Sequence, residues 1–493
     1  MPVAKSQPLS ANKVRTRFAP SPTGALHAGT VRTALFAWLT ARHTGGDFIL
    51  RIEDTDKGRE VEGGIKNITE SLKYLGLNWD EGPEVDGQHG PYIQSERLEI
   101  YKEWAEKLLK TGRAYADPYS PEEVDKFRKA AQAAKKPFLF RDHRPDKPPA
   151  WDGSQPLRFK SEPRTYNWAD AVMGELASGP EVIDDFIILK SDGYPTYNFA
   201  HIIDDYLMEI SHVIRSQEFI SSVPNYMNLY EALEFKPPVM ATVPNVLGDD
   251  GKRKLSKREG AKQLLDYQKM GILPEALMNA LATTGWNDGT EQELFSKDEL
   301  IKKFSLDRVQ RSGAHFDERR MLWLNGHYIR ELKPTQLAEQ VEAFWPAAAK
   351  QADSKYRQQV LELVQERLKY LAELPKLTSF FFEEPDPKAV KDLLQNTVDK
   401  QLEKLSAIEQ FDMLKIVRQK LGGSNFSEAV IQETLNDLLE SLQTKPGILF
   451  ALVRVAVTGS PVSPEIFGTL AVLGKDESLK RIDQAVSLLE SLA

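Results

Sequence analysis

The segment from Val14 to His43 leaves few folds open to this chain. Val14–Phe18 reads as a short strand, and the turn residues Pro20, Pro22 and Gly24 follow at once. From Ala28 the apolar residues Val31, Leu35, Trp38 and Leu39 recur at helical spacing, stopping before His43 and the Gly45-Gly46 pair. A strand that feeds a tight turn and then a helix gathers unpaired backbone N–H groups and the positive end of a helix dipole at one spot. Such a spot suits a phosphate group. His27 and Thr30 stand there as donors, and Gly29 omits a side chain that would hold a flat base or a phosphate away from the backbone.

Far downstream, Lys254-Leu255-Ser256-Lys257-Arg258 lies in a polar run bounded by Gly251 and Gly260, the composition of a loop. Cations on a loop can close over a triphosphate. Each motif alone has a plain explanation: an isolated histidine at a helix start is usually a cap or surface residue, and an isolated Lys/Arg run is usually a solvated face. Their joint occurrence, in this order and a domain's length apart, points to an ATP site.

These residues resemble the two signatures of the class I aminoacyl-tRNA synthetases, in the form used by the glutamyl and glutaminyl branch. Two further blocks resemble bacterial-type glutamyl-tRNA synthetases. One is Arg51-Ile52-Glu53-Asp54-Thr55-Asp56, after the strand Phe48 to Ile52. The other runs from Gly193-Tyr194-Pro195-Thr196-Tyr197-Asn198-Phe199 through Ile202-Ile203-Asp204-Asp205 to His212-Val213-Ile214-Arg215. The resemblance extends over nearly the whole chain, dense to about Arg330 and diffuse beyond, and identifies the chain as a member of that family. One block departs from its pattern: after Arg215 come Ser216-Gln217-Glu218-Phe219, where relatives more often show a small residue, two acidic residues and then His or Trp.

Composition is compatible with this and excludes rivals. A chain of 493 residues is too long for one core and should divide into three to five units, at about 100 to 200 residues per domain. No apolar run approaches a membrane span and Met1 to Lys13 lack a hydrophobic signal core, so a cytoplasmic protein with no membrane partner is expected. With no cysteine, disulfides and thiolate zinc modules are impossible, and the eight histidines show no ligand spacing. No protein-held metal and no zinc are expected. The net charge of −8 (64 Lys and Arg against 72 Asp and Glu) does not decide against RNA, because local surface charge attracts a polyanion. Basic clusters occur at Lys126 to Lys136, Arg141 to Lys147, Lys252 to Arg258 and Arg308 to Arg320, although each taken singly fits a solvated face.

Residues 14–116 read as alternating strands and helices, the first half of an α/β Rossmann-like sheet. Residues 117–181 are rich in Pro, Lys and aromatics. With Pro145, Pro148-Pro149 and Pro156 preventing long helices, they read as an insertion, which the resemblance makes the acceptor-stem-binding domain. Residues 182–250 resume strands as the second catalytic half. From Ala261 the pattern is helical to the end, giving a unit at 251–330 with the Lys254–Arg258 loop and a helical stem-contact domain, then an all-α region at 331–493. That last region resembles the helical anticodon-binding region of bacterial glutamyl enzymes rather than the β-barrels of the glutaminyl branch; Pro446 to Gly459 and Leu470 to Gly474 match its terminal module. Arg367, on a helix there, is a candidate for reading the anticodon's last base, with a plain surface arginine as the alternative. Trp286, Trp323 and Trp345, in helical segments, read as core more readily than as base-stacking platforms.

The resemblance implies a glutamate–tRNA ligase that uses ATP, L-glutamate and tRNA-Glu, with tRNA-Gln as a second substrate left open, and a monomer. Phosphoryl chemistry of this kind needs alignment and charge neutralisation above all. His27, Thr30, Lys254 and Lys257 would supply donors and cations around the triphosphate, Gly29 would admit the nucleotide, and Mg²⁺ would accompany ATP on its phosphate oxygens. Lys257 is placed at the transition state by the resemblance. Glutamate's two carboxylates and one ammonium call for two cations and an anion: Arg17 and Arg215 fit the carboxylates, in either assignment, and Glu53 the ammonium. By resemblance Ser21, Tyr197 and His201 line the same pocket. Two other classes fit the chain less well. A small-molecule adenylyltransferase does not need the long helical C-terminal region, and an inactive tRNA-binding protein would be expected to have lost His27 or Lys257.

Overall fold

The computed structural model describes residues 13–248, 251, 253, 255, 262–395, 402 and 405–491. They form two compact units, Met1–Gln268 with Pro274–Glu318, and Lys269–Leu273 with Arg319–Ala493.

The first unit is built on short, fully buried strands. β1 (Arg15–Phe18) and β2 (Asp47–Leu50) run parallel, Arg15 opposite Asp47 and Phe18 opposite Leu50, and α1 (Ala28–His43) connects them. Every residue of β1 is buried, as expected for a parallel strand covered on both faces. After α2 (Gly64–Tyr74) and α3 (Leu98–Lys110) comes an antiparallel sheet of β3 (Ala114–Ala116), β4 (Leu157–Phe159) and β7 (Ile187–Leu189). Within the 117–181 segment lie α4 (Pro121–Ala133) and the hairpin of β5 (Tyr166–Asp170) and β6 (Gly174–Ser178). α5 (Tyr197–Leu207), β8 (His212–Ser216), α6 (Val223–Ala232) and β9 (Val239–Val243) complete a second parallel pair, β8 with β9. The two pairs meet where Ser211 N donates to Arg15 O at 3.0 Å and Arg15 N to Ser211 Oγ at 2.8 Å. The unit's main core includes Tyr101, Phe159, Phe199, Ile203, Tyr226 and Met240.

Two sequence expectations change here. The 117–181 segment does hold a sizeable helix: α4 precedes the proline cluster, starts at Pro121 with its ring at the first helical position, and is closed by a capping box between Ser120 and Glu123. Nor is the segment detached, since β5 runs alongside β9 in a sheet ordered β6-β5-β9-β8. The stretch after Ala261 is not wholly helical either. β10 (Val246–Leu247) pairs with β11 (Ala314–His315), a two-residue strand too short to show any period.

Among its described residues the second unit is helical, from Glu318–Glu331 to Lys475–Glu490. Pro446–Thr458 is apolar nearly all round and correspondingly buried, and Gly459 ends it in the left-handed conformation at φ 63°. Trp345 is buried in this unit and Trp286 in the first, but Trp323 is 50% exposed, beside His327 with ring centroids 6.3 Å apart. For Trp323 the core reading was wrong: helical periodicity does not say which face is covered.

Candidate active site

β1 ends in the turn that carries Ser21, and the chain re-enters regular structure at His27, an extended N-cap with φ −118° and ψ 165°. The start of α1 opens onto a cleft with a cavity of about 230 Å³. His27, Gly29 and Thr30 line it, together with Arg17, Ser21, Glu53, Tyr197 and Arg215. Eight of the residues singled out in the sequence are thus brought together from β1, the turn, α1, α5 and β8 and from the segment after β2. Thr30 Oγ1 lies 3.2 Å from His27 Nε2, which ties the ring to the first turn of the helix. A Cβ on Gly29 would stand 3.2 Å from His27 Cε1, so the glycine makes room for the histidine ring at the mouth of the helix.

Lys254 and Lys257 lie outside the described residues, but Leu255, between them in sequence, is at the cleft: its N donates to Val246 O at 2.8 Å, and both residues line the cavity. Beyond the motif Gln263 bridges His27, and Leu264 N donates to Leu26 O at 2.9 Å. Arg32, which the sequence argument passed over, holds this region from beneath. It is 1% exposed, and its guanidinium donates to Thr284 O at 2.9 Å and to Pro244 O, just before β10. Burial pulls its pKa down to about 10. The signal available in the sequence was an arginine between the apolar positions Val31 and Leu35.

The floor of the cleft is a buried ion network. Arg51 is fully buried; Nη1 donates to Asp205 Oδ1 at 2.8 Å and Nη2 to Glu53 Oε1 at 3.0 Å. Arg17 grips the same aspartate, Nε to Oδ1 at 3.1 Å and Nη2 to Oδ2 at 3.4 Å. Asp204 accepts from Arg97 Nε, Gln94 Nε2 and the Tyr101 hydroxyl, each at 2.8 Å. Burial pushes the Asp205 carboxyl up, but Arg17 and Arg51 overcome that and hold it well below the usual carboxylate range. Glu53 is different: burial raises its pKa, and Arg51 and Arg17 offset this only in part. Arg51, Arg97, Asp204 and Asp205 received no role from the sequence, because a charged residue inside an apolar run does not name its partner.

The wall is built from β8 and α5. Arg215 is 6% exposed, yet no carboxylate among the described residues lies within ion-pair distance of it. Its Nη2 donates to the Tyr197 hydroxyl at 2.6 Å, while Nη1 is buried with no hydrogen-bond partner. His201 does not line the cavity. It lies behind Tyr197 (ring centroids 4.9 Å apart) and edge-on to Tyr226 at 4.7 Å, with both ring nitrogens unbonded and burial pulling its pKa down to about 3. Across the floor, Arg17, Arg51 and Arg97 pair with Glu53, Asp204 and Asp205, whereas Arg215 on the wall is in ion-pair distance of no carboxylate among the described residues. A cleft of this kind has a place for an anion on the wall, a carboxylate for an ammonium at Glu53, and a helix start for a phosphate.

The model for the catalytic domain of class I tRNA synthetases of the E and Q type matches residues 13–323, and that for an anticodon binding domain matches residues 336–486. The chain belongs to that class I family. A glutamate–tRNA ligase of Dehalococcoides mccartyi (strain ATCC BAA-2100 / JCM 16839 / KCTC 5957 / BAV1) is 41% identical over 98% of this chain and 99% of its own length. One from Moorella thermoacetica is 39% identical over 98% of this chain and all of its own length, 100%. Among solved structures, a glutamate tRNA ligase from Elizabethkingia meningosepticum in complex with its amino acid superposes with a TM-score of 0.82. It is 32% identical, over 96% of this chain and 99% of that one. The cleft lies in the first unit, and its lining residues fall within the match to the class I catalytic domain. Arg367 is in the second, exposed in the 3-10 turn Gln365–Arg367 that follows the helix Ser354–Val364, within the anticodon-binding match.

Proposed function

We propose that this chain is a glutamate–tRNA ligase and that the cleft holds glutamate between Arg215 and Glu53, with ATP at the start of α1. One observation carries the reading: a buried guanidinium with an unbonded Nη1 beside the helix start of an ATP signature. Arg17 is already engaged by both oxygens of Asp205, which leaves Arg215 for the side-chain carboxylate and puts Arg17 at the base of the site. Glu53 receives the ammonium, and an incoming cation stabilises its ionised form against the burial that raises its pKa. Ser21 and Tyr197 close the pocket, and His201 supports Tyr197 from behind.

In the reaction, an oxygen of the α-carboxylate bonds to the α-phosphorus of ATP and the bond to the departing pyrophosphate breaks. A terminal ribose hydroxyl of the tRNA then takes the acyl group, its proton leaves, and AMP departs. His27 and Thr30 orient the phosphates, and Lys254 and Lys257, by family resemblance, neutralise the developing charge. Mg²⁺ accompanies ATP on its phosphate oxygens in this reading. No helix among the described residues is long and apolar enough to cross a membrane, and we place the protein in the cytoplasm as a monomer.

The test is glutamate attachment by the purified protein to separate tRNA-Glu and tRNA-Gln transcripts. Charging of tRNA-Glu alone establishes a discriminating enzyme, with Arg367 as a candidate anticodon reader. Charging of both means a non-discriminating one. Charging of neither sinks the assignment in favour of an inactive tRNA-binding protein. Lys257→Ala is expected to abolish charging while tRNA binding persists in a filter assay.

A further inference from the structure

Of the four residues after Arg215 that depart from the family pattern, Ser216 ends β8 and Gln217-Glu218-Phe219 open the 3-10 turn Gln217–Ser222 that follows it directly. The turn is pinned at its start by Ser216 Oγ, which donates to Asn245 Oδ1 at 3.0 Å. It returns Phe219 to the cavity wall, where the ring centroid lies 4.1 Å from Arg215 Cζ and 5.5 Å from the Tyr197 ring. A second ring, Tyr226, lies 5.1 Å from the same guanidinium carbon. Arg215 is therefore packed by two aromatic rings, holds one hydroxyl, and has one buried, unbonded nitrogen.

We propose that Phe219 is a specificity-determining residue for the amino acid, acting through Arg215. This rests on reading Arg215 as the partner of the side-chain carboxylate. Phe219 has no donor or acceptor, so it cannot bond to a ligand amide or satisfy Arg215 itself. What it does is stack on the guanidinium, fix its direction and keep water off it. A dry, fixed guanidinium discriminates: a carboxylate satisfies it, whereas an uncharged amide of the same shape leaves a buried cation without its counter-charge. With water admitted, solvent would supply part of what the amide lacks, and the penalty against glutamine would shrink.

The full chain carrying Phe219→Ala, Phe219→Leu or Phe219→Trp is assayed with tRNA for glutamate KM, ATP KM and competition by glutamine. Phe219→Ala is expected to raise the glutamate KM and to lower the glutamate-over-glutamine preference, each about 10-fold, with ATP KM changed less than about 2-fold. Phe219→Trp restores both, and Phe219→Leu, which keeps bulk without a π face, lies between. A rise in ATP KM with glutamate KM unmoved would assign the ring to the nucleotide and overturn the proposal. So would equal losses on both substrates that Phe219→Trp does not rescue, the mark of a structural role. Arg215→Ala measured alongside separates the two layers: if it leaves glutamate KM unchanged, the underlying reading of Arg215 has failed. A normal Arg215 effect with an inert Phe219→Ala refutes the Phe219 proposal alone.

Discussion

The floor and the wall of the cleft handle buried charge in opposite ways. On the floor, Asp205 is held by two arginines and Asp204 by an arginine, an amide and a phenol, so each of these two carboxylates is answered from inside the protein. On the wall, Arg215 is nearly as buried and has one neutral hydroxyl. Burying an ion costs several kcal/mol, which internal partners offset only when the geometry is complete. The floor has done this at the folding stage; the wall leaves it for the ligand. An answered charge is scaffold and an unanswered one is a site.

That contrast is broken most severely at Asp205. Asp205→Ala would leave Arg17 buried without its carboxylate and Arg51 with Glu53 as its main remaining counter-charge, at an expected cost of about 3 to 5 kcal/mol of folding stability. Urea unfolding of the purified variant checks this, and a midpoint equal to wild type would show that the network is decorative. Arg215→Met should do the reverse. Having no ion pair among the described residues to lose, it should keep wild-type stability while glutamate KM rises about 100-fold and ATP KM stays put, by the usual cost of removing a charged partner from a ligand carboxylate. A matching rise in both Michaelis constants would mean damage to the fold instead.

The same contrast explains what could be seen in the sequence. His27, Gly29 and Thr30 were legible because a strand, a turn and a helix start occur in consecutive residues, where local chemistry fixes their relation. Arg17, Glu53 and Arg215 were legible as charge types and through family blocks, but the assignment of carboxylates was not. Only the fold shows that Asp205, 188 positions from Arg17, has already engaged it. Arg32 was missed for the same reason, its acceptors at Pro244 and Thr284 lying more than two hundred positions downstream. The short strand β11 and the exposure of Trp323 were hidden for another reason: neither a two-residue pairing nor the open side of a helix leaves a period in the chain.

His201 sharpens the comparison because it sits between the two regions. Its Nδ1 is 3.8 Å from Asp205 Oδ2, beyond a hydrogen bond, and it stays neutral because burial, helped by the nearby Arg215 and Arg17, outweighs the pull of that aspartate. Burial brings its folded pKa down to about 3 from an ordinary 6.5. Below pH 6.5 the unfolded chain therefore binds a proton that the folded one refuses, and stability falls with pH from about 6.5 towards 3. At pH 5 the loss from this one group is about 2 kcal/mol. His201→Asn should remove that part of the pH dependence, seen as a smaller difference between urea midpoints at pH 7 and pH 5. An unaltered difference would place the acid sensitivity elsewhere.

The smallest expected effect is at Tyr197, the one hydrogen-bond partner Arg215 has among the described residues. Tyr197→Phe removes the oxygen that accepts from Nη2 at 2.6 Å and leaves the ring, with its packing against His201 and Phe219, in place. Hydrogen bonds to charged groups contribute about 1.5 to 3 kcal/mol. Here the ligand carboxylate still answers the guanidinium, so the loss should be at the low end of that range, about 1.5 kcal/mol, a glutamate KM raised about 10-fold. Because the hydroxyl orients Arg215 equally before and during adenylate formation, kcat should not move. A fall in kcat at constant KM would instead make the Tyr197 hydroxyl a group that acts only in the transition state, and the wall would then do more than hold the substrate.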